Sequence, residues 1–310
     1  MNQAFKSDVL FGLNSSPKSL PCKWLYDSRG SALFEAICDT PEYYVTRTEL
    51  SLLRSVVDKV ASLVGPNIDV LEPGAGAGIK IQLLLDALQS PRTVVPIEIS
   101  PTALEQTART LKKKYPELNI EPVVADFTSE FELPAHFGRD VEKKMIFFPG
   151  STISNFGPEE RRQLLSNWHD LLQPGDFLFI GADLIKDRRV LERAYNDKSG
   201  ITAQFNLNLL ERIARELQTN LDPSTFRHRA FFNEAQKRIE MHLESRQDQS
   251  LEIEGQDFSF SEGESIHTEN SYKFSVTGFQ ETTVAAGFCP VETFVDENQL
   301  FSLHLMTVQD

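Results

Sequence analysis

The sequence has no hydrophobic run long enough to cross a membrane and comparatively few positive charges. No stretch of about 18 apolar residues occurs in it, and lysine plus arginine total 31 against 45 aspartate plus glutamate, a formal net charge of −14. This excess of negative charge opposes a polyphosphate partner, and the first residues lack the basic-then-apolar order of a secretory signal. We therefore expect a monomeric cytoplasmic protein without a nucleic-acid or membrane partner.

Patterns typical of disulfide frameworks and metal sites are also missing. The three cysteines, Cys22, Cys38 and Cys289, are scattered and odd in number, and no C-x-x-C spacing occurs. The six histidines form no H-x-x-x-H pair, and none lies near a cysteine in sequence. These observations favour reduced thiols in a reducing compartment and predict no metal site.

The chain does contain enough apolar residues, 40%, for real hydrophobic cores. From about Asp69 onward, short apolar runs alternate with amphipathic ones, as is typical of a parallel α/β sheet. We predict strands in "IDVLEPG", "TVVPIEIS", "IEPVVADF", "KKMIFFPG" and "FLFIGADL", with helices between them. At the carboxyl terminus, "CPVETFVDE" and "NQLFSLHLMTV" predict a hairpin that adds an antiparallel edge to the sheet.

Two blocks lie outside this alternation, and they predict a second domain built from separated segments. Residues 1–49 look helical and loop-like, whereas residues 191–271 hold an amphipathic helix followed by strands with period-two patterning such as "KRIEMHLES". We therefore expect an α/β core over residues 50–190, completed by residues 272–310. The segments 1–49 and 191–271 are expected to form an α+β substrate-binding domain.

A glycine-rich turn, "EPGAGAGIK", follows the first predicted strand and brings Gly74, Gly76 and Gly78 to alternate positions. It is not a P-loop, because no G-K-[ST] follows, and its G-x-G-x-G spacing departs from the dinucleotide fingerprint G-x-G-x-x-G. Glu72 precedes the first glycine, where a fixed negative charge opposes a phosphate and favours a cation. S-adenosylmethionine carries an ammonium and a sulfonium but no phosphate, so the turn predicts this cofactor.

Polar residues follow the other predicted strands as well. In open parallel sheets the ligand binds beyond the carboxyl ends of the strands, which makes these positions informative. A carboxylate at Glu98 is placed to accept the ribose hydroxyls of an adenosine, and Asp126 with Phe127 to bind its adenine. Gly150 and Asn155 follow the next strand. Together with Glu72, Gly74 and Gly76, these residues form the candidate site at the strand ends.

Several motifs spread over nearly the whole chain resemble a known family. They are "PKSLPCKWLYDSRGSALFEAICDTPEYYVTRTE", "FFPGSTISNFGPEE", "GADLIKD", "RAYNDKSGITAQFNLNLL", "RIEMHL" and "TENSYKF". In this order and with similar gaps, they resemble the histidine-specific Nα-methyltransferase of ergothioneine biosynthesis. The resemblance implies a class I methyltransferase that transfers three methyl groups from S-adenosylmethionine to the α-amine of L-histidine, giving hercynine.

The resemblance also implies roles for individual residues. By position, the family's cofactor residues fall on Gly74, Lys80, Glu98, Asp126 and Phe127. Its amino-acid pocket falls on the following positions: Tyr44, Asn155, Tyr195, Glu269 and Ser271, with Tyr26 and Met241 as neighbours. Tyr44 and Asn155 are the expected catalytic residues, because they would hold the reacting amine. The sequence departs from the family at "GAGAGIK" and at Glu98, where aspartate is common.

The residues themselves support part of this assignment. Glu269 and Ser271 are two positions apart, so in an extended segment they face the same side. A carboxylate and a hydroxyl can accept from and donate to the two nitrogens of an imidazole.

Three alternatives remain open. One is an Nα-methyltransferase for another amino acid, such as tryptophan or tyrosine, although an apolar residue at position 269 would favour it more. The second is a non-catalytic regulator that binds S-adenosylmethionine, although the retention of Tyr44 and Asn155 argues against it. A dinucleotide-dependent oxidoreductase is the third, and the glycine spacing and Glu72 disfavour it.

Overall fold

The computed structural model describes residues 3–139 and 143–309. The helices are α1 (Gln3–Asn14), α2 (Ser28–Cys38), α3 (Tyr44–Val64), α4 (Ile79–Ala87), α5 (Pro101–Lys114), α6 (Pro158–Leu171), α7 (Arg188–Ala194), α8 (Ile201–Glu216) and α9 (Val276–Ala285). The strands are β1 (Ile68–Pro73), β2 (Thr93–Glu98), β3 (Asn119–Ile120), β4 (Val123–Val124), β5 (Lys143–Phe148), β6 (Phe177–Asp183), β7 (Phe226–Asn233), β8 (Arg238–Ser245), β9 (Gln249–Ile253), β10 (Gln256–Phe260), β11 (Ser265–Tyr272), β12 (Phe288–Val295) and β13 (Phe301–Val308).

The chain divides into two compact units. Unit 1 comprises residues 1–44 and 186–272, and unit 2 comprises residues 45–185 and 273–310. Each unit is therefore assembled from two separate segments of sequence. No helix within the described ranges is both long and apolar enough to span a membrane.

Unit 2 is built on an eight-stranded mixed sheet with the order β12-β13-β6-β5-β1-β2-β3, in which β4 also pairs with β2. The central strands are parallel, whereas β13 runs antiparallel to both β6 and β12. Strands β1 and β6 are buried along their whole length, as expected of strands covered on both faces. The predicted parallel sheet with an antiparallel hairpin at its edge is confirmed.

One predicted strand is shorter than expected. The segment "IEPVVADF" forms two strands of two residues each, β3 and β4, instead of one continuous strand. Both pair with β2, and Pro122 lies between them. Because proline has no backbone N–H to donate, it interrupts the ladder at this edge. After β5, residues Thr152–Asn155 form a 3₁₀ helix.

Unit 1 is an α+β structure around helix α8. Strands β7, β8 and β11 form an antiparallel sheet with β8 in the centre, and β9 and β10 form a separate hairpin. Helix α8 packs on this sheet and against α2. Its residues Phe205, Leu209 and Ile213 are buried at four-residue spacing, which is the apolar stripe that the sequence predicts.

A buried ion pair in unit 2 joins the end of β6 to residue 273, where the chain re-enters this unit. Lys273 Nζ lies 2.7 Å from Asp183 Oδ2, and both side chains are almost fully buried. Backbone bonds from Phe274 N to Asp183 O (3.0 Å) and from Ile185 N to Phe274 O (2.9 Å) hold the two segments side by side. Removal of one charge would break this ion pair while the other side chain stays buried.

We predict that Lys273→Met lowers the free energy of unfolding by about 3–5 kcal/mol, because it breaks a buried ion pair from one side. The matched control is Lys59→Met, which removes the exposed ion pair between Lys59 and Glu292. That change should cost less than about 1 kcal/mol. Urea denaturation of both variants gives the comparison, and equal midpoints would contradict the prediction.

Candidate active site

The glycine turn of unit 2 lies between β1 and α4. Gly74, Gly76 and Gly78 all have positive φ, at 69°, 50° and 67°, a region that glycine enters without steric cost. The backbone N–H groups of Gly74 and Ala75 donate to the carbonyl oxygen of Ile97, at 2.8 and 3.0 Å, which ties the turn to β2. The turn thus forms a backbone cradle at the carboxyl edge of the sheet.

Glu98 and Phe127 lie against this turn, as the position of their strands predicts. Glu98 Oε2 accepts a hydrogen bond of 3.2 Å from Gly76 N, and its Oε1 accepts one of 2.9 Å from Ile99 N. The Phe127 ring is 3.4 Å from the position that a Cβ on Gly74 would occupy. The same ring packs edge-on against Phe148, with centroids 5.5 Å apart. Any side chain at Gly74 would contact this ring.

Asp126 precedes this ring and has a local role in the turn after β4. Its Oδ1 accepts a hydrogen bond of 3.0 Å from Thr128 N and another from the Thr128 hydroxyl. These bonds fix the carboxylate next to Phe127. Glu98, Asp126 and Phe127 are therefore all positioned by the ends of neighbouring strands.

Lys80 is held by an acidic residue that sequence reasoning did not identify. Its Nζ lies 2.5 Å from Glu49 Oε2, and the Glu49 side chain is fully buried. Glu49 Oε1 accepts a hydrogen bond of 2.7 Å from Gly150 N. A Cβ on Gly181 would come within 2.6 Å of Glu49 Oε1, so the glycine leaves room for the carboxylate. Glu49 therefore joins α3, α4 and the turn after β5.

Glu72 is a buried carboxylate with an orphaned oxygen. Its side chain is 1% exposed, and within the described residues Oε2 has no hydrogen-bond partner. Burial raises the pKa of Glu72 well above its usual value; the Lys80 charge opposes this rise and the Glu98 charge adds to it. Since Lys80 already pairs with Glu49, this edge of the sheet has more negative than positive charge. It is suited to a cationic ligand.

A second group of candidate residues surrounds Glu269 in unit 1. Glu269 and Ser271 lie on β11 and are both buried, with Met241 directly opposite Glu269 on β8. The Tyr195 hydroxyl donates a hydrogen bond of 2.7 Å to Ser271 Oγ. A register shift between His267 and Glu269 marks a β-bulge, and bulges of this kind redirect side chains.

Aromatic rings enclose this group. Tyr26 packs edge-on against Phe205 and Phe34, with centroids 5.4 and 5.6 Å away, and Tyr43 packs against Tyr195 at 6.1 Å. Burial raises the pKa of both Tyr26 and Tyr43 well above the usual value, and the Glu269 charge contributes to each rise. The tyrosines are therefore neutral hydroxyls at physiological pH. Tyr43 is an additional member of this group, to which the sequence analysis assigns no role.

Tyr44 of unit 1 has a cationic neighbour. Lys186 Nζ donates a hydrogen bond of 2.6 Å to the Tyr44 hydroxyl and lies 4.1 Å from the centroid of its ring. This contact fixes the orientation of the phenol. Lys186 belongs to "GADLIKD", one of the motifs that resemble the family, but no role was predicted for it.

The candidate residues are thus distributed over the two units. Unit 2 contains Asn155, half-buried at the end of the 3₁₀ helix, together with the whole set expected to bind the cofactor. Unit 1 contains the other residues expected to bind the amino acid: Tyr26, Tyr44, Tyr195, Met241, Glu269 and Ser271.

The fold of unit 2 defines the class of protein. A parallel sheet with an antiparallel hairpin at its edge, and a glycine turn after the first strand, is the class I methyltransferase fold. An S-adenosylmethionine-dependent methyltransferase from Clostridium acetobutylicum has a similar crystal structure, with a TM-score of 0.52 and 10% sequence identity. The match covers 89% of this chain and 98% of that chain.

The sequence identifies the family within this class. Residues 5–308 match the model of the SAM-dependent, histidine-specific methyltransferases, and the chain belongs to that family. A histidine N-alpha-methyltransferase from Mycobacterium tuberculosis is 39% identical over 97% of this chain and 94% of its own length. Its counterpart from Mycolicibacterium smegmatis is 37% identical over 98% of this chain and 94% of its own length. Ergothioneine biosynthesis protein 1 of Neurospora crassa is 31% identical over 67% of this chain but only 24% of its own length. The chain is therefore an S-adenosylmethionine-dependent methyltransferase.

Glu72 should affect stability and cofactor binding in opposite directions. The pKa of Glu72 is higher in the folded state than its ordinary value of 4.5, which we take for the unfolded chain. The folded state therefore loses stability as the pH rises from 4.5 through the folded pKa, because ionisation is easier in the unfolded chain. Glu72→Gln removes this cost, which is about 1.4 kcal/mol for each pKa unit that separates the folded from the unfolded state. Without S-adenosylmethionine, the variant should therefore be more stable than the parent at pH 8, with a smaller difference at pH 5.

Binding of S-adenosylmethionine should weaken in the same variant, because the ligand is cationic. Thermal unfolding at the two pH values and calorimetric titration of the cofactor measure the two effects. Glu105→Gln is the control, since this exposed acid on α5 forms only a surface ion pair with Arg109. A variant less stable than the parent at pH 8 would show that the Glu72 carboxylate is stabilised in the folded state.

Proposed function

We propose that the protein transfers three methyl groups, one after another, from S-adenosylmethionine to the α-amine of L-histidine. The product is hercynine, and the reaction is the first step of ergothioneine biosynthesis. The buried Glu269–Ser271 pair carries this proposal, because it provides a carboxylate and a hydroxyl on one side of one strand. Family membership over residues 5–308 supports the same substrate.

The cofactor is assigned to the carboxyl edge of the sheet in unit 2. Its sulfonium makes the methyl group electrophilic. Glu72 and Glu98 would favour its positive charges, while Gly74, Gly76 and Gly150 provide backbone without a Cβ. Lys80, held by Glu49, would bind its carboxylate, and Asp126 with Phe127 would bind its adenine. The orphaned Glu72 Oε2 and the glycine cradle are the features that fit this ligand.

The imidazole of the substrate is assigned to Glu269 and Ser271. The Glu269 carboxylate accepts from the N–H of a neutral imidazole. The Ser271 hydroxyl accepts from Tyr195, and a hydroxyl is a group that can also donate to the other imidazole nitrogen. Tyr26 and Met241 bound the ring. An analogue without these nitrogens would leave a buried carboxylate without its donor, which is a strong basis for discrimination.

Deprotonation and orientation of the amine are the two requirements of the reaction. An α-amine that titrates about two units above neutrality costs roughly 3 kcal/mol to present as the neutral nucleophile, at about 1.4 kcal/mol per pKa unit. Orientation at attack distance can contribute several kcal/mol more. We assign Asn155 and Tyr44 to hold the amine and carboxylate, with Tyr195 as support. Lys186 fixes the Tyr44 phenol.

Cellular context is proposed on narrower grounds. The net charge of −14 disfavours a nucleic-acid partner. The three scattered cysteines suit a reducing compartment. We therefore propose that the enzyme acts on a small molecule in the cytoplasm, as a monomer and without a membrane partner.

The direct test is incubation of the purified protein with S-adenosylmethionine and each amino acid separately, followed by mass spectrometry. We expect mono-, di- and trimethylated products with histidine, and no product above the enzyme-free control with tryptophan or tyrosine. If another amino acid is methylated in preference to histidine, the proposed substrate is wrong. Binding of S-adenosylmethionine without any product would instead support a regulator.

Glu269→Ala should weaken histidine binding much more than cofactor binding. The loss of a buried carboxylate that accepts from the imidazole is expected to raise the dissociation constant for histidine roughly 100-fold. The constant for S-adenosylmethionine should change less than about threefold. Glu262→Ala, which removes an exposed acid shortly before β11, is the matched control. An equal loss of affinity for both ligands would mean that Glu269 does not bind the imidazole.

A further inference from the structure

Three potential metal ligands meet on the β7-β8-β11 sheet of unit 1. Glu240 and His242 are two residues apart on β8, and His267 is directly opposite His242 on β11. Positions i and i+2 share one face of a strand, and a directly paired residue on the neighbouring strand shares that face too. One ligand atom from each lies within 4.8 Å of the others, and no other such cluster of His, Cys, Asp or Glu occurs in the described residues.

The hydrogen bonds of the two histidines leave one nitrogen of each directed at this cluster. His267 Nε2 is 3.0 Å from the carbonyl oxygen of Glu269, so it carries the proton and Nδ1 keeps the lone pair. His242 Nδ1 is 3.0 Å from Ser265 Oγ, while its Nε2 lies 3.2 Å from Glu240 Oε2 and donates its proton to that carboxylate. An ion on Nε2 would require this proton to move to Nδ1, where Ser265 Oγ can accept it. Metal-binding histidines are commonly held in this way, with the second nitrogen bonded to a carbonyl or hydroxyl.

Glu240 has one oxygen available for the cluster. Its Oε1 accepts from Arg238 Nε at 2.8 Å and from Asn233 Nδ2 at 2.9 Å. Its Oε2 has His242 as its partner, at 3.2 Å. These two donors orient the Glu240 side chain.

The two histidines face one another across the paired strands. Their rings are stacked, with centroids 4.8 Å apart and an angle of 13° between planes. Arg238 forms an ion pair with Glu240. Its positive charge opposes a cation there and should limit the affinity of the site.

The geometry points to a divalent transition-metal site, of the zinc type, formed by Glu240 Oε2, His242 Nε2 and His267 Nδ1. Ligand atoms around a tetrahedral zinc ion are about 3.4 Å apart, given bonds of about 2.1 Å. The longest separation, up to 4.8 Å, would have to close by about 1.4 Å to complete the triangle. His242 and His267 are half-buried, which leaves room for water as the fourth ligand. The site is separate from the chemistry of methyl transfer.

Its position connects it to the substrate residues. The carbonyl oxygen that accepts from His267 belongs to Glu269, on the far side of the β-bulge. An ion on His267 Nδ1 would hold this ring and so fix the bulge that orients Glu269. This link to the imidazole pocket depends on the proposed function, whereas the metal site itself does not.

The test is titration of the full chain with Zn²⁺ by calorimetry, and with Co²⁺ by visible absorption, which reports the coordination number. We expect one ion per chain and the intense visible bands of four- or five-coordinate Co²⁺. His242→Gln and His267→Gln should each weaken Zn²⁺ binding at least about 100-fold, since each removes a ligand. Ser265→Ala keeps all three ligands and should weaken binding about tenfold by releasing His242.

His136→Ala is the matched control, because this histidine is exposed and lies in unit 2. It should bind Zn²⁺ like the parent protein. Circular dichroism and urea midpoints show whether each variant keeps its fold, and Ser265→Ala provides the test if a histidine variant does not. Equal Zn²⁺ affinity in the parent, the Ser265 variant and every folded histidine variant would assign the ion to other side chains. If the parent protein does not bind Zn²⁺ in a one-to-one ratio, His242 and His267 are a stacked pair with no metal-binding role. Either result overturns the site.

Discussion

The contact on which the cofactor edge of the sheet depends is the one between Lys80 and buried Glu49. Glu49 binds the lysine with one oxygen and the backbone N–H of Gly150 with the other, so one carboxylate joins three elements of unit 2. This pairing uses the positive charge of Lys80 and leaves Glu72 buried without a counter-ion of its own among the described residues. A buried acid in that state is costly to the folded chain, and a cationic ligand offsets the cost. Selectivity for a sulfonium over a phosphate is thus a property of the charge arrangement.

Most residues of unit 1 that we propose as ligands of the amino acid are neutral. Tyr26 and Tyr43 have raised pKa values and keep their protons, and Glu269 is the charged residue among the proposed ligands of the amino acid. A pocket with aromatic walls tolerates an amine that grows and finally becomes a permanent cation, because ring faces attract positive charge. In the proposed mechanism, precise placement of the amine and the modest cost of its deprotonation take the place of a dedicated strong base.

The sequence predicts the sheet well because strands buried on both faces read as apolar runs, and their ends are marked by glycine or acidic residues. It therefore locates Glu72, Glu98 and Phe127 at one edge before the structure is known. Glu49 was missed because it lies within a helix, although a carboxylate among Val45, Leu52, Leu53 and Val56 on one helical face is a readable signal. Lys186 and Tyr43 were missed because their contacts are long-range. The Glu-x-His pair on β8 was missed because helical and cysteine-based spacings were sought, whereas strands bring together positions two apart.

The discontinuous layout of unit 2 has a consequence for how the enzyme is made. Strand β6 is central to the sheet, but one of its two neighbours is β13, the last strand of the chain. During synthesis on the ribosome, one edge of β6 therefore stays unpaired while residues 186–272 of unit 1 are translated. An exposed strand edge of this kind can recruit other chains. The methyltransferase sheet is thus completed only after this segment has been made, and nascent chains stalled within it are the species that chaperones must protect.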